Sequence, residues 1–128
     1  MATILIIDDE VHIARVLALW LKKHGHDVLE ATNGLQALEI FQRQPVDLII
    51  SDMNMPQLDG LGMLKRLREE CHSDVPVLLL SARCDQCNLT EQLRPYRAQL
   101  YPKPFVPSRL VADIERLLAS AVGAKPGD

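Results

Sequence analysis

Five side chains in this sequence have types suited to phosphoryl chemistry: Asp8, Asp9, Asp52, Ser81 and Lys103. Held within a few ångströms, three carboxylates repel one another, and a hard divalent cation relieves that repulsion. Carboxylate oxygens with room for water suit Mg²⁺, which keeps part of its hydration shell and bridges readily to phosphoryl oxygens. Phosphoryl transfer also needs a nucleophile and groups that position it. Asp52 can attack phosphorus to form an aspartyl phosphate. Asp8, Asp9 and Asp52 are the candidate metal ligands, with the backbone carbonyl of Asn54 as a further one. Lys103 can pair with one phosphoryl oxygen, and the Ser81 hydroxyl can donate to another.

These residues lie far apart in the chain, so the elements between them must bring them together. Ile4 to Ile7 and Val46 to Ile50 are short, nearly continuous apolar runs rich in β-branched residues. Such runs read as strands buried on both faces of a parallel sheet. The first ends in Asp8, Asp9 and Glu10, the second in Ser51 and Asp52. Asp27 to Ala31 is short enough for an edge strand, Val75 to Leu80 makes a fourth strand ending at Ser81, and Leu100 with Tyr101 a fifth.

Helical periodicity fills the gaps. From Val11 to Lys23, Ile13, Val16, Leu17, Trp20 and Leu21 form one apolar stripe, with Leu19 off it as a candidate interface residue. Thr32, Asn33 and Gly34 offer a cap for a helix to about Arg43, with Ala37, Leu38 and Phe41 inward. Asp59 and Gly60 open a third helix to about Glu70, with Leu61, Leu64 and Leu67 inward and Lys65, Arg66 and Arg68 turned to water. A fourth is thin: Leu89, Leu93 and Tyr96 are helically spaced, but Pro95 ends it early. Pro107 and Ser108 start a last helix carrying Leu110, Ile114, Leu117, Leu118 and Ala121.

Strands and helices alternate five times, which predicts an α/β fold: a doubly wound, five-stranded parallel sheet between two helical layers. Ligand sites in such sheets lie at the carboxyl ends of the strands. Asp8, Asp9, Asp52, Ser81 and Lys103 all fall there.

With 128 residues, 48% hydrophobic, the chain suits one domain, expected over residues 1–121, with 122–128 as a tail or the start of a linker. A net charge of −3 argues against direct nucleic-acid binding, which needs a basic face. No apolar run approaches the ~20 residues that span a bilayer and no leader precedes the first strand, so a cytoplasmic location is expected. Cys71, Cys84 and Cys87 are too few for a disulfide framework, and one CxxC is read as incidental thiols. His24 and His26, flanking Gly25 at a helix end, are read as solvated.

The ordered set formed by Asp8 and Asp9, the block DMNMPQLDG from Asp52 to Gly60, Ser81 with Ala82, and Lys103, Pro104 and Phe105 resembles the CheY-like response-regulator receiver domains of two-component signalling, over essentially the full length. The resemblance implies a flavodoxin-like fold and a Mg²⁺-dependent switch. Its phosphoryl group would come onto Asp52 from a sensor histidine kinase or phosphotransfer protein and be lost by hydrolysis. It implies self-catalysed chemistry rather than an enzyme with its own substrate. Output would pass through the face of the fourth helix, fifth strand and fifth helix to a partner or effector domain, with Ser81 as the switch hydroxyl. It also implies a cis peptide between Lys103 and Pro104 and a role for Asn54 and Arg83 in phosphoryl lifetime.

Two features depart from the family pattern. The switch aromatic, three residues before the lysine, is here Leu100, with Tyr101 one place later and therefore on the opposite face of the strand. Tyr96 and Arg97 replace the usual Gly-Ala. The alternatives are a receiver-like scaffold that works without phosphate and an aspartate-nucleophile phosphatase. The phosphatase would want an acid two residues after Asp52, where Asn54 stands. A flavodoxin-type cofactor binder would need an anion-cradling first loop, which Asp8, Asp9 and Glu10 would repel.

Overall fold

A computed structural model describes residues 2–52, 60–71, 75–81, 98–102 and 106–124. The strands are β1 (Thr3–Ile7), β2 (Asp27–Ala31), β3 (Leu48–Asp52), β4 (Val77–Ser81) and β5 (Ala98–Pro102). The helices are α1 (Val11–Lys23), α2 (Gly34–Arg43), α3 (Gly60–Glu69) and a C-terminal helix, Pro107–Ala124. All strands run parallel in the order β2-β1-β3-β4-β5. The thin fourth helix read over Leu89 to Tyr96 lies outside the described residues, as do Cys84, Cys87 and Asp59.

Each strand feeds two cores because successive side chains leave opposite faces. Leu5, Ile7, Ile49, Val77 and Leu79 enter one core with Ala37, Leu38, Met63, Leu64 and Leu67, from α2 and α3. Ile4, Ile6, Leu48, Ile50, Leu78 and Leu80 enter the other with Leu17, Leu21, Leu110 and Ile114, from α1 and the C-terminal helix. The expected sheet between two helical layers is therefore present.

Local chemistry sets the helix ends. Asn33 caps α2 by accepting from the Gln36 N–H at 2.8 Å, and Gln36 reaches back to the Thr32 N–H at 2.7 Å. That exchange satisfies donors the helix leaves orphaned. Asn33→Ala is expected to cost about 1 kcal/mol, read as a lower urea midpoint at unchanged slope. Helix α1 closes with the His26 N–H on the Leu21 carbonyl and the Gly25 N–H on the Lys22 carbonyl. Gly25 takes φ 88°, left-handed backbone that a Cβ would disfavour.

Four readings of the sequence are corrected. On α1 the buried stripe is Ala14, Leu17, Ala18 and Leu21, while Val16 and Trp20 are 46% and 37% exposed. The small alanines take the inner positions, which rotates the larger side chains outward beside Leu19, itself 63% exposed. Arg68 is half-buried and donates to the Val75 carbonyl at 2.7 Å, tying α3 to the approach of β4. His24 and His26 are not simply solvated: each contacts the same Glu115 oxygen, at 3.3 and 3.1 Å, and the Ala2 N–H reaches His26 Nδ1. The C-terminal helix continues to Ala124, past the expected boundary at residue 121.

Candidate functional site

Strands β1 and β3 are neighbours in register, Ile7 opposite Ser51. The residues that follow, Asp8 and Asp52, therefore emerge side by side at the carboxyl edge of the sheet. One carboxylate oxygen from each of Asp8, Asp9 and Asp52 lies within 4.8 Å of the others. Asp8 and Asp52 are buried, 2% and 6% exposed, whereas Asp9 is open to solvent. Two acids are thus fixed by the fold, and the third faces the side from which a ligand enters.

The backbone holds this arrangement. The Asp8 N–H donates to the Ala31 carbonyl at 3.0 Å, and Asp8 Oδ1 accepts from the Glu10 N–H at 2.8 Å. Glu10 is the N-cap of α1 without a side-chain cap bond, so the partial positive end of that helix opens beside the acids. The Ser51 hydroxyl donates to the Asp52 carbonyl at 2.9 Å. Among the described residues no buried side-chain oxygen or nitrogen lacks a hydrogen-bond partner. Burial of the two aspartates is therefore a satisfied arrangement rather than a packing defect.

The donor set fits a hard divalent cation. Three anionic oxygens on one side, with the exposed side left for water, is the way Mg²⁺ is commonly held, by few carboxylates and several waters. A soft or tetrahedral metal would call for thiolate or imidazole ligands, which this cluster lacks.

Sequence reasoning expected more residues here than the described set contains. Ser81 closes β4, level with Pro102 of β5. Asn54, Arg83 and Lys103 with Pro104 and Phe105, including the expected cis peptide, lie outside the described residues.

The two switch candidates part company. Leu100 packs against the core of α2 and α3, and Tyr101 against the core of α1 and the C-terminal helix, as strand alternation requires. The Tyr101 hydroxyl donates to Asp113 Oδ2 at 2.9 Å, and Asp113 Oδ1 meets Arg116 at 3.3 Å. Burial, then the bond to Asp113 and the charge on that carboxylate, raise the Tyr101 pKa above its ordinary 10.0, with Arg109 opposing. The stability this adds is complete below the ordinary value and is lost as pH rises through the folded one. Sequence reasoning missed Asp113, because helical periodicity marks apolar stripes and carries no signal for a polar partner on a strand.

Comparison with known proteins agrees with this picture. A family model for the response regulator receiver domain matches residues 4–115. The chain is 41% identical, over 90% of its length, to the probable transcriptional regulator ycf27 of Porphyridium aerugineum, and 32% identical, again over 90%, to the transcriptional regulatory protein SrrA of Staphylococcus aureus. It spans about half of each relative, 47%. Among solved structures it is similar to the receiver domain of the Francisella response regulator 1452, with TM-score 0.86, 30% identity and coverage of 94% of this chain and 99% of that one. It is also similar to the chemotaxis response regulator CheY4 of Vibrio cholerae, with TM-score 0.82, 30% identity and coverage of 91% and 98%.

Proposed function

The chain belongs to the response regulator receiver domains of two-component signalling, and from that premise we propose that it is a Mg²⁺-dependent switch phosphorylated on Asp52. One observation carries the proposal: Asp8, Asp9 and Asp52 converge at the strand ends with two of the three buried. Crowding of that kind is costly in a merely structural role and useful where a cation and a phosphoryl group must be gathered.

In the proposed reaction an Asp52 carboxylate oxygen attacks phosphorus while the bond to the donor's histidine nitrogen breaks. The histidine leaves as neutral imidazole once the nitrogen has its proton. Water later attacks the acyl phosphate, releasing inorganic phosphate and restoring the carboxylate. Asp8 and Asp9, with Asp52 and the Asn54 carbonyl, would hold Mg²⁺, which when bound neutralises charge between the carboxylates and the phosphoryl oxygens. Lys103 and Ser81 are the proposed partners of the remaining phosphoryl oxygens.

The phosphodonor is a sensor histidine kinase or phosphotransfer protein. Its proposed approach is over the acid cluster and along α1, where Val16, Leu19 and Trp20 form an exposed apolar patch. Output is proposed to leave through the β5 and C-terminal helix side to a partner or to a further domain. The curated relatives, twice as long and named as transcriptional regulators, support control of transcription as the process served. No helix among the described residues is long and apolar enough to cross a membrane, and a cytoplasmic setting follows from the proposed partners.

The test is incubation with acetyl phosphate and Mg²⁺ followed by intact mass. Wild type is expected to gain one phosphoryl group, and chelation by EDTA to prevent it. Absence of the gain would leave the phosphate-independent scaffold as the better account.

A further inference from the structure

Asp52 lies opposite Leu80 in the pairing of β3 with β4, and Leu80 lies opposite Tyr101 in the pairing of β4 with β5. The three therefore form one row across the sheet, about 10 Å from end to end, with their side chains leaving the same face. Leu80 is buried in the core shared by α1 and the C-terminal helix, and Tyr101 packs against the same core. Tyr101 then leaves the sheet for the C-terminal helix through the 2.9 Å bond from its hydroxyl to Asp113. Asp113 is itself held by Arg116, one helical turn on, at 3.3 Å.

The neighbouring row runs elsewhere. Ser51 is opposite Leu79, and Leu79 opposite Leu100, which packs into the core of α2 and α3. Leu100 is aliphatic and has no polar atom, so it can report only by packing. Tyr101 has a directional bond that is either made or broken, which a two-state connection needs.

We infer that a change at Asp52 reaches the C-terminal helix along the row Asp52–Leu80–Tyr101 and the Tyr101–Asp113 bond, and that Leu100 is not on the route. The inference rests on Asp52 being the phosphoacceptor. A push at the Asp52 end moves the buried Leu80, and close packing passes the displacement to the Tyr101 ring rather than absorbing it. The hydroxyl bond converts that movement into a pull on Asp113, at the middle of the C-terminal helix. The role of Tyr101 and Asp113 is thus to position the helix, without contact with the phosphoryl group.

The test measures amide hydrogen exchange over residues 107–118, with and without acetyl phosphate and Mg²⁺, alongside intact mass. Couplings between sites commonly amount to about fivefold or more in an equilibrium. Wild type is expected to show a phosphorylation-dependent change in exchange of about that size. Tyr101→Phe keeps the ring and loses only the hydroxyl, so it should take up phosphate as wild type does and lose most of the change. Asp113→Ala should lose the same amount, and the double variant no more than either, because one bond is removed in all three. Leu100→Met should retain the change. A wild-type change that persists in Tyr101→Phe, or one that disappears in Leu100→Met, overturns the route while leaving phosphorylation at Asp52 standing. So does a phosphorylated wild type whose helix exchange is unaltered. No phosphoryl gain in wild type overturns the phosphoacceptor assignment and the route together.

Discussion

Asp52→Asn is expected to gain no phosphoryl mass from acetyl phosphate at any Mg²⁺ concentration, while wild type treated in parallel gains one group. The substitution exchanges one carboxylate oxygen for an NH₂ of nearly the same size, so the shape of the β3 end is kept. What changes is chemistry. A carboxylate carries the lone pair and negative charge that attack phosphorus, and a neutral amide does neither at neutral pH. The same change removes one of the three anionic oxygens gathered within 4.8 Å, so Mg²⁺ affinity is also expected to fall. The loss should be complete rather than partial, since no other acid in the cluster ends a central strand in a buried position: Asp8 follows β1 and is bonded to the Glu10 N–H, and Asp9 is exposed. Far-UV circular dichroism matching wild type would show that the fold is intact. A phosphoryl gain in Asp52→Asn equal to that of wild type would move the acceptor to another residue.

Ile50→Ala is expected to have the largest effect on stability, a loss of about 2–5 kcal/mol set against a total of about 5–15 for a domain of this kind. Ile50 is fully buried, two residues before Asp52, and belongs to the core between the sheet, α1 and the C-terminal helix. Truncation removes three carbons from a site where neighbours on adjacent strands are fixed by register, Ile6 on one side and Leu78 on the other. They cannot close the gap without breaking ladder pairs, so a cavity remains. Chemical denaturation should show a much lower midpoint at unchanged slope. Leu19→Ala supplies the contrast: Leu19 is exposed on α1, and its truncation should stay within about 0.5 kcal/mol of wild type. Equal effects at the two positions would mean that burial is misassigned.

The fold was legible in the sequence wherever one physical signal dominated. Ile4 to Ile7 and Leu48 to Ile50 could only be strands covered on both sides, because a one-sided strand would alternate. The cap at Asn33 and the turn at Gly25 were legible for a similar reason, since few residue types satisfy an orphaned N–H or accept positive φ. The α1 stripe was misread because Ala14 and Ala18 count weakly in a hydrophobic pattern, whereas Val16 and Trp20 count strongly. Closeness to the sheet favours small side chains, and in α1 that preference outweighed hydrophobicity. Arg68 and the histidines were misread because a polar side chain on a helix or turn is silent about its partner until tertiary packing brings one near.

From the chain alone came the residue types, the element order and the placing of Asp8, Asp9 and Asp52 after strands, all set by local spacing and periodicity. Tertiary structure decided the rest. Strand order placed β1 beside β3, which brought acids more than forty residues apart into one cluster. Register put Tyr101 in the row of Asp52 and aimed its hydroxyl at Asp113. Such pairings depend on which surfaces meet, and a linear pattern records only what each segment would bury, not what it is buried against.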